Sequence, residues 1–467
     1  MVAEHESRSP WIPFLAGLVA GGAGAVLASA LLRERPRLDP RLIRSRRDNP
    51  ALPPTVVVPG LLGSELRRAD GSRVWLNAGN ALGYYDLSLP LRLPLPESRD
   101  DLRPGGLLGT DTLLPRLFGF TEYADLLRVM NTAGFQRDPP APTGRASYHV
   151  FTYDWRRDLV DSARRLDEAL ARLADERGDP DTRFNVIGHS MGGLLLRYYL
   201  RYGTAEPARD VPVSWAGTRR IANAVIVASP NAGTVLALDA LLNGSRVGFS
   251  TTTLAPQVIA PMVSMHELIP PAGAPALVDQ TGADLAVDLH DVATWERFAW
   301  GPFHPGDELH PPPQDPDRAR EFLGAALARA RAFHAALGRD PDSPCPIRVV
   351  ALGGDCLATL GRAVAPETPG HSPRLEPAHE DEARTLYEAG DGRVTRASVL
   401  CAHRATPETA HPADNGIPEL SHAFFGAADH HGIYQEPTFQ SVLLRLLLRP
   451  LPARIHQPRP AAAALGG

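Results

Sequence analysis

The run Asn185-Val186-Ile187-Gly188-His189-Ser190-Met191-Gly192-Gly193 constrains this chain more than any other feature. An apolar, strand-like stretch ends in a serine between glycines and passes straight into the helix-like Leu194-Leu195-Leu196-Arg197-Tyr198. A turn this abrupt needs glycines two residues to either side of Ser190, where neighbouring backbone approaches closely, and it presents the serine hydroxyl at the tip. The pattern is that of a nucleophile elbow. The pentapeptide alone is short enough to arise by chance, so its context has to carry the argument.

That context is an alternation of strand and helix. Apolar runs at Thr55 to Val58, Tyr148 to Tyr153, Phe184 to Gly188, Ile221 to Ala228 and Ile347 to Leu352 read as strands. They are nearly continuous in Val and Ile, as strands covered on both faces are. Between two of them, Leu159 to Arg177 sets Leu159, Ala163, Leu166, Leu170 and Leu173 three or four apart, which predicts an amphipathic helix. The expected architecture is therefore α/β, a mostly parallel sheet with helices on both faces. Two stretches break the alternation, at about 70–120 and 236–342, and read as cap-like insertions. The second holds Trp295, Phe298, Trp300 and Phe303, which either build a small second core or offer apolar surface to acyl chains. The expected division is a segment 1–50, a domain 51–450 containing both insertions, and a poorly ordered Pro/Ala-rich tail 451–467.

Composition removes several function classes. All 48 basic residues are arginine, and the net charge is -5 with no dense arginine block in the main body, which argues against a nucleic-acid partner. Three cysteines, Cys345, Cys356 and Cys401, allow at most one bridge and form no Cys-x-x-Cys pattern. No His-Glu-x-x-His spacing occurs, so neither a metal nor another cofactor is expected.

Near the N-terminus, Trp11 to Leu32 carry no formal charge and are long enough to cross a bilayer as a helix. Arg33, Arg35, Arg37, Arg41, Arg44, Arg46 and Arg47 follow, which by the positive-inside tendency leaves the following domain on the cytoplasmic side. The expectation is a single membrane anchor. The alternative is a cleaved secretory signal with Ala28-Ser29-Ala30 at its cleavage site, although Glu4 and Glu6 oppose Arg8 ahead of it.

A serine hydroxyl is a weak nucleophile and needs a base within reach and a third group to orient that base. With an elbow, acid and base follow the serine in the order Asp or Glu, then His. Glu388-Ala389-Gly390-Asp391-Gly392-Arg393-Val394 offers an acid on a glycine-flanked loop, with Asp355 in Gly353-Gly354-Asp355 as a rival. Ala428-Asp429-His430-His431-Gly432-Ile433 offers two candidate bases, while His403, His411 and His422 read as ordinary core or surface residues.

Five collinear segments resemble the lecithin:cholesterol acyltransferase family of lipases and acyltransferases, especially its bacterial members. They are Val58-Pro59-Gly60-Leu61-Leu62-Gly63-Ser64-Glu65-Leu66, Tyr153-Asp154-Trp155-Arg156, Gly188 to Gly192, Gly390 to Val394, and Asp429 to Ile433 with Thr438-Phe439-Gln440. Met265-His266-Glu267-Leu268-Ile269-Pro270 is a weaker sixth, with histidine where the family has tyrosine. The resemblance implies an α/β-hydrolase fold with Ser190 as nucleophile, Asp391 as acid and His430 as base. Asp391 is preferred to Asp355 for the valine three residues on, and His430 to His431 for the aliphatic Ile433 three residues on. It also implies oxyanion donors at the backbone N–H groups of Leu61 and Met191. Tyr153 to Arg156 is expected to be structural, with Asp154 and Arg156 paired and Trp155 beneath the elbow or against substrate. Asn231, in the loop after the next strand, stands where many hydrolases have histidine and is not expected to be catalytic.

The function implied is a serine-dependent lipid acyl enzyme. It takes the acyl group of a phospholipid or acylglycerol and passes it to water, as a lipase does, or to an alcohol, as an O-acyltransferase does. The alternative is a non-catalytic, membrane-anchored, hydrolase-like protein that binds lipid or a partner.

Overall fold

Seven strands, all parallel, form the central sheet. In chain order they are β1 (Thr55–Val58), β2 (Gln136–Arg137), β3 (Ser147–Val150), β4 (Phe184–His189), β5 (Ile221–Val227), β6 (Arg348–Gly354) and β7 (His422–Gly426). They lie in the order β7-β6-β5-β4-β1-β3-β2. The computed structural model describes residues 52–76, 87–109, 122–138, 146–246, 253–404 and 416–448. The apolar run Trp11 to Leu32, its arginines, the tail 451–467 and His411 lie outside these residues. Among the described residues no helix is long and apolar enough to cross a membrane.

The strands expected from their Val/Ile runs are the five in the middle of the sheet. β4 is buried along its whole length, and its register sets Gly188 opposite Val58 of β1 and His189 opposite Val227 of β5. Alternate side chains feed two cores. Val56, Val58, Val186, Ala224 and Ile226 face α2 (Leu159–Glu176) and α3 (Met191–Tyr202). Val57, Ile187, Val225, Val227 and Val350 face α1 (Glu122–Thr132) and α6 (Pro437–Leu447). Each such side chain contributes roughly 1.5–3 kcal/mol on burial, so a period-two strand between two helix layers is strongly held in register. The edge strands carry no such signature. β7 reads His-Ala-Phe-Phe-Gly, pairs on one side only, and leaves Phe424 exposed.

α2 begins one residue after Asp158, whose carboxylate accepts from Val160 N–H at 2.8 Å and caps the helix. α3, directly behind the elbow, carries two fully buried arginines. Arg197 Nε and Arg201 Nη1 each donate at 2.8 Å to Glu419 just ahead of β7, so one carboxylate ties the elbow helix to the distant end of the chain.

Between β1 and α1, Ser64–Arg67, Arg73–Trp75 and Arg103–Leu107 form a small antiparallel sheet. After β5 come α4 (Val235–Asn243), several short helices and the long α5 (Pro316–Leu337). Here Trp295, Phe298 and Trp300 are buried, with Phe298 stacked on Trp300 at 4.6 Å and Trp295 edge-on to it at 6.1 Å. They are continuous with the core on the α2 and α3 side of the sheet instead of forming a second one, and Trp295 and Trp300 also line a cavity there. Cys345, Cys356 and Cys401 form no disulfide among the described residues. This mostly parallel, doubly covered sheet, with its serine turn after the middle strand, is the α/β-hydrolase fold.

Candidate functional site

Ser190 leaves β4 with φ 53° and ψ -125°, a backbone conformation costly for any residue but glycine, and α3 starts at the next residue. The turn is held because β4 is pinned on both sides and Ser190 N–H donates to Val227 O at 2.7 Å. The flanking glycines are required by contact. A Cβ on Gly188 would lie 2.6 Å from Gly192 O, and one on Gly192 would lie 2.6 Å from Val58 O.

The base reaches the serine from the loop after the edge strand β7, and the acid from the end of Tyr387–Gly390, which pairs with Leu357–Leu360 in a separate two-stranded antiparallel sheet. His430, four residues past β7, places Nε2 3.2 Å from Ser190 Oγ and Nδ1 2.9 Å from Asp391 Oδ2. Asp391 Oδ1 accepts from Arg393 N–H at 2.9 Å and Val394 N–H at 2.7 Å, and Asp391 O accepts from His430 N–H at 2.9 Å. Burial pushes the Asp391 carboxyl up, but the facing His430 and the two amides outweigh it and hold the group below its ordinary value. The rivals are engaged with other partners. Asp355 pairs with Arg396 at 3.2 Å, and His431 turns to Glu122, with Nδ1 3.3 Å from Oε2. His422 lies on the exposed edge strand, stacked on Phe424.

Leu61 and Met191 follow β1 and Ser190 respectively, and neither backbone N–H donates to a protein acceptor among the described residues. The amide just before Leu61 is occupied: Gly60 N–H donates at 2.7 Å to the Tyr123 hydroxyl, which lies 3.0 Å from His189 Nδ1. One buried tyrosine on α1 thus ties the turn after β1 to the residue before the nucleophile. Sequence reasoning missed Tyr123, and no local signal marks it, because it reads as one apolar position of an amphipathic helix.

Two of the segments quoted from the sequence are one structural unit. Tyr153 Oη–H donates to Pro59 O at 2.9 Å, Tyr153 N–H to Ser64 Oγ at 3.2 Å, and Trp155 Nε1–H to Ser64 O at 3.0 Å. Arg156, with no exposed surface, reaches both Asp154 and Asp100 at 2.8 Å and Leu87 O at 3.1 Å. The expected Asp154–Arg156 pair is present, and Trp155 both underlies the turn and lines the cavity. Asn231 is structural: it accepts from Arg197 and donates to Val399 O. In the sixth segment, His266 is buried with Nε2–H donating to Ala260 O, while Met265 and Leu268 reach the cavity.

That cavity, about 350 Å³, opens over Ser190 and His430. One wall is apolar, built from Leu236, Leu254, Ile259, Met262, Met265 and Leu268. The lining also includes the polar side chains of Glu122, Tyr123, His189 and His431. Elsewhere His304, Asp307 and His310 bring ligand-type atoms within 4.8 Å of one another. A metal is not expected there, because His304 is already committed: Nδ1 accepts from Gly306 N–H and Nε2–H donates to Gly370 O.

The sequence model of the lecithin:cholesterol acyltransferase family matches residues 100–300, which include Tyr153 to Arg156, the elbow and Met265 to Pro270. None of the curated proteins matches the chain. Among solved structures, a chain of the Tle4–Tli4 complex is similar at 15% identity, with 85% of this chain and 98% of that one covered and a TM-score of 0.46. The mature Bacillus licheniformis lipase BlEst2 is similar at 11% identity, covering 86% and 94%, with a TM-score of 0.34. The lin2722 gene product of Listeria innocua is similar at 11% identity, covering 84% and 92%, with a TM-score of 0.32. The matched family supports a lipid-ester hydrolase or acyltransferase. The motifs that run on either side of the matched residues, Pro59 to Leu66, Gly390 to Val394 and Asp429 to Ile433, resemble the same family.

Proposed function

We propose that the protein is a serine acyl enzyme acting on a phospholipid or acylglycerol. The observation that carries the reading is the unbroken hydrogen-bonded chain from Asp391 through His430 to Ser190, at the floor of a cavity with an apolar wall. Ser190 Oγ attacks the ester carbonyl carbon while His430 Nε2 takes its proton. Asp391 fixes the tautomer and stabilises the imidazolium that forms. The amides of Leu61 and Met191 receive the oxyanion, a contribution worth on the order of 100- to 1000-fold in rate for each donor. Collapse expels the alcohol leaving group with the proton from His430 and leaves the acyl chain on Ser190, along the wall formed by Leu236 to Leu268. Water or an alcohol then attacks the acyl-enzyme.

The same reading places the chain at a lipid surface through Trp11 to Leu32, with the catalytic domain on the cytoplasmic side. Digestion of that domain by protease added to sealed right-side-out vesicles would contradict this orientation.

A fluorescent alkyl phosphonate tests the chemistry. Wild type is expected to be labelled and Ser190→Ala not. Absence of wild-type labelling, or equal labelling of both, overturns the assignment in favour of a non-catalytic lipid-binding role. Mass spectrometry of products from mixed phospholipids and acylglycerols then identifies the donor.

A further inference from the structure

The rim of the catalytic cavity carries side chains that the chemistry above does not use. Among the described residues only three large apolar side chains are exposed, Leu309, Leu357 and Phe424. Single exposed leucines are ordinary, so the position of Leu357 is what gives it meaning. It begins the hairpin of Leu357–Leu360 and Tyr387–Gly390 and pairs with Gly390, the residue before Asp391. Its Cδ1 lies 3.5 Å from where a Cβ would stand on Gly392, the residue after Asp391. Leu357, 40% exposed, thus lies against the Asp391 turn with its other side in solvent. Cys356, Ala358 and Ala389, which is opposite Ala358, are exposed as well, so this end of the hairpin shows solvent an uncharged surface.

A cation stands directly beside it. Arg393 is exposed, is the only arginine among the residues lining the cavity, and makes no ion pair among the described residues. Its neighbour Arg396 is by contrast paired with Asp355. The Arg393 backbone is fixed, with N–H donating to Asp391 Oδ1 at 2.9 Å and O accepting from the Thr234 hydroxyl, just ahead of α4, at 3.1 Å. From Asp391 the hydrogen bonds run on to His430 at 2.9 Å and to Ser190 at 3.2 Å, so the cation belongs to the catalytic end of the cavity. Leu61, Leu62 and Leu236 line the same cavity and are partly exposed.

Exposed leucines with one arginine among them suit a lipid surface. The apolar groups enter the acyl boundary, and the long arginine stem keeps its guanidinium among the phosphates. A twofold contact with a second copy would instead set two Arg393 side chains against each other. We propose that the face formed by Leu357, Arg393 and the leucines of the rim seats on an anionic lipid surface, so that a lipid ester passes from the surface into the cavity. The proposal rests on the acyl-enzyme reading above. It goes beyond tethering through Trp11 to Leu32, because it fixes which way the cavity faces.

Cys356 is exposed and next to Leu357, whereas Cys345 and Cys401 are buried, so the native chain can be labelled at the hairpin. The full chain carrying a nitrobenzoxadiazole maleimide on Cys356 is reconstituted into phosphatidylcholine vesicles with and without phosphatidylglycerol. Quenching by a nitroxide-labelled lipid is then read. The control carries the label on Glu176→Cys in a Cys356→Ser chain, at the exposed end of α2 that leads toward the start of β4, away from Ser190. With phosphatidylglycerol present, quenching at Cys356 is expected to exceed the control about threefold, and to fall about threefold in Leu357→Asp and in Arg393→Gln. Equal quenching at the two positions, quenching indifferent to phosphatidylglycerol, or no change in either variant overturns the proposal. The quenching does not depend on turnover, so absence of phosphonate labelling would overturn the acyl-enzyme reading separately.

Discussion

Four buried histidines make the folded state sensitive to mild acid. His189 and His334 are pushed down to a pKa of about 3 and His266 and His290 to about 4, in each case chiefly by burial. Three have an Nε2–H committed to a backbone carbonyl: His334 to Glu267 O, His266 to Ala260 O and His290 to His266 O. The folded chain thus resists a proton that the unfolded chain accepts below about 6.5. With more protons bound by the unfolded state, stability falls as pH falls through that window, by up to 1.36 kcal/mol per pH unit for each group. From pH 7 to 5 this amounts to about 2 kcal/mol per histidine and about 7 kcal/mol for the four, against a typical total of about 5–15 kcal/mol. Glu267 and Asp239, raised by burial, act in the opposite sense, but two carboxyls do not offset four histidines. The lowered carboxylates Asp391, Glu122 and Glu419 lose their contribution only below the ordinary carboxylate range, so they do not mask the window. Urea unfolding followed by tryptophan fluorescence at pH 7, 6 and 5 measures the effect. The expected result is a midpoint that drops steadily, with a net loss of several kcal/mol by pH 5. A midpoint that is flat or rises over this range refutes the neutral, buried assignment of these rings.

Other perturbations follow from single contacts. Gly192→Ala puts a Cβ 2.6 Å from Val58 O in the elbow, and is expected to abolish phosphonate labelling and to lower Tm measurably by calorimetry. Tyr123→Phe leaves Gly60 N–H and His189 Nδ1 without their shared partner, for a cost of about 2–4 kcal/mol in urea unfolding and a loss of kcat with little change in KM. Glu419→Gln removes the charge that Arg197 and Arg201 share, and is expected to cost about 3–5 kcal/mol by the same measurement; a change below about 1 kcal/mol would mean these guanidinium groups find other acceptors.

What the sequence revealed, and what it hid, divides along contact distance. The five middle strands were legible because burial on both faces writes a continuous apolar run, whereas β2 has only two residues and β7 is an exposed edge whose His-Ala-Phe-Phe-Gly obeys no such rule. Ser190, Asp391 and His430 were legible as separate motifs in a required order, and the fold brings those three side chains together. Their supports were not. Tyr123 meets Gly60 across 63 residues and Glu122 meets His431 across 309, and neither contact leaves a periodicity or spacing in the chain. The motif Tyr153 to Arg156 occupies the middle ground. Its residues looked structural, but what they are for emerges only when Tyr153 and Trp155 are seen holding Pro59 and Ser64. The loop that carries Leu61 is braced by this motif from one side and by Tyr123 from the other. An amide that has to meet a developing oxyanion cannot be positioned by its own side chain, which leaves the task to groups bonded to its neighbours along the backbone. That is a physical reason for the two most specific segments of the sequence to occur together, although neither Tyr153 nor Arg156 touches Ser190.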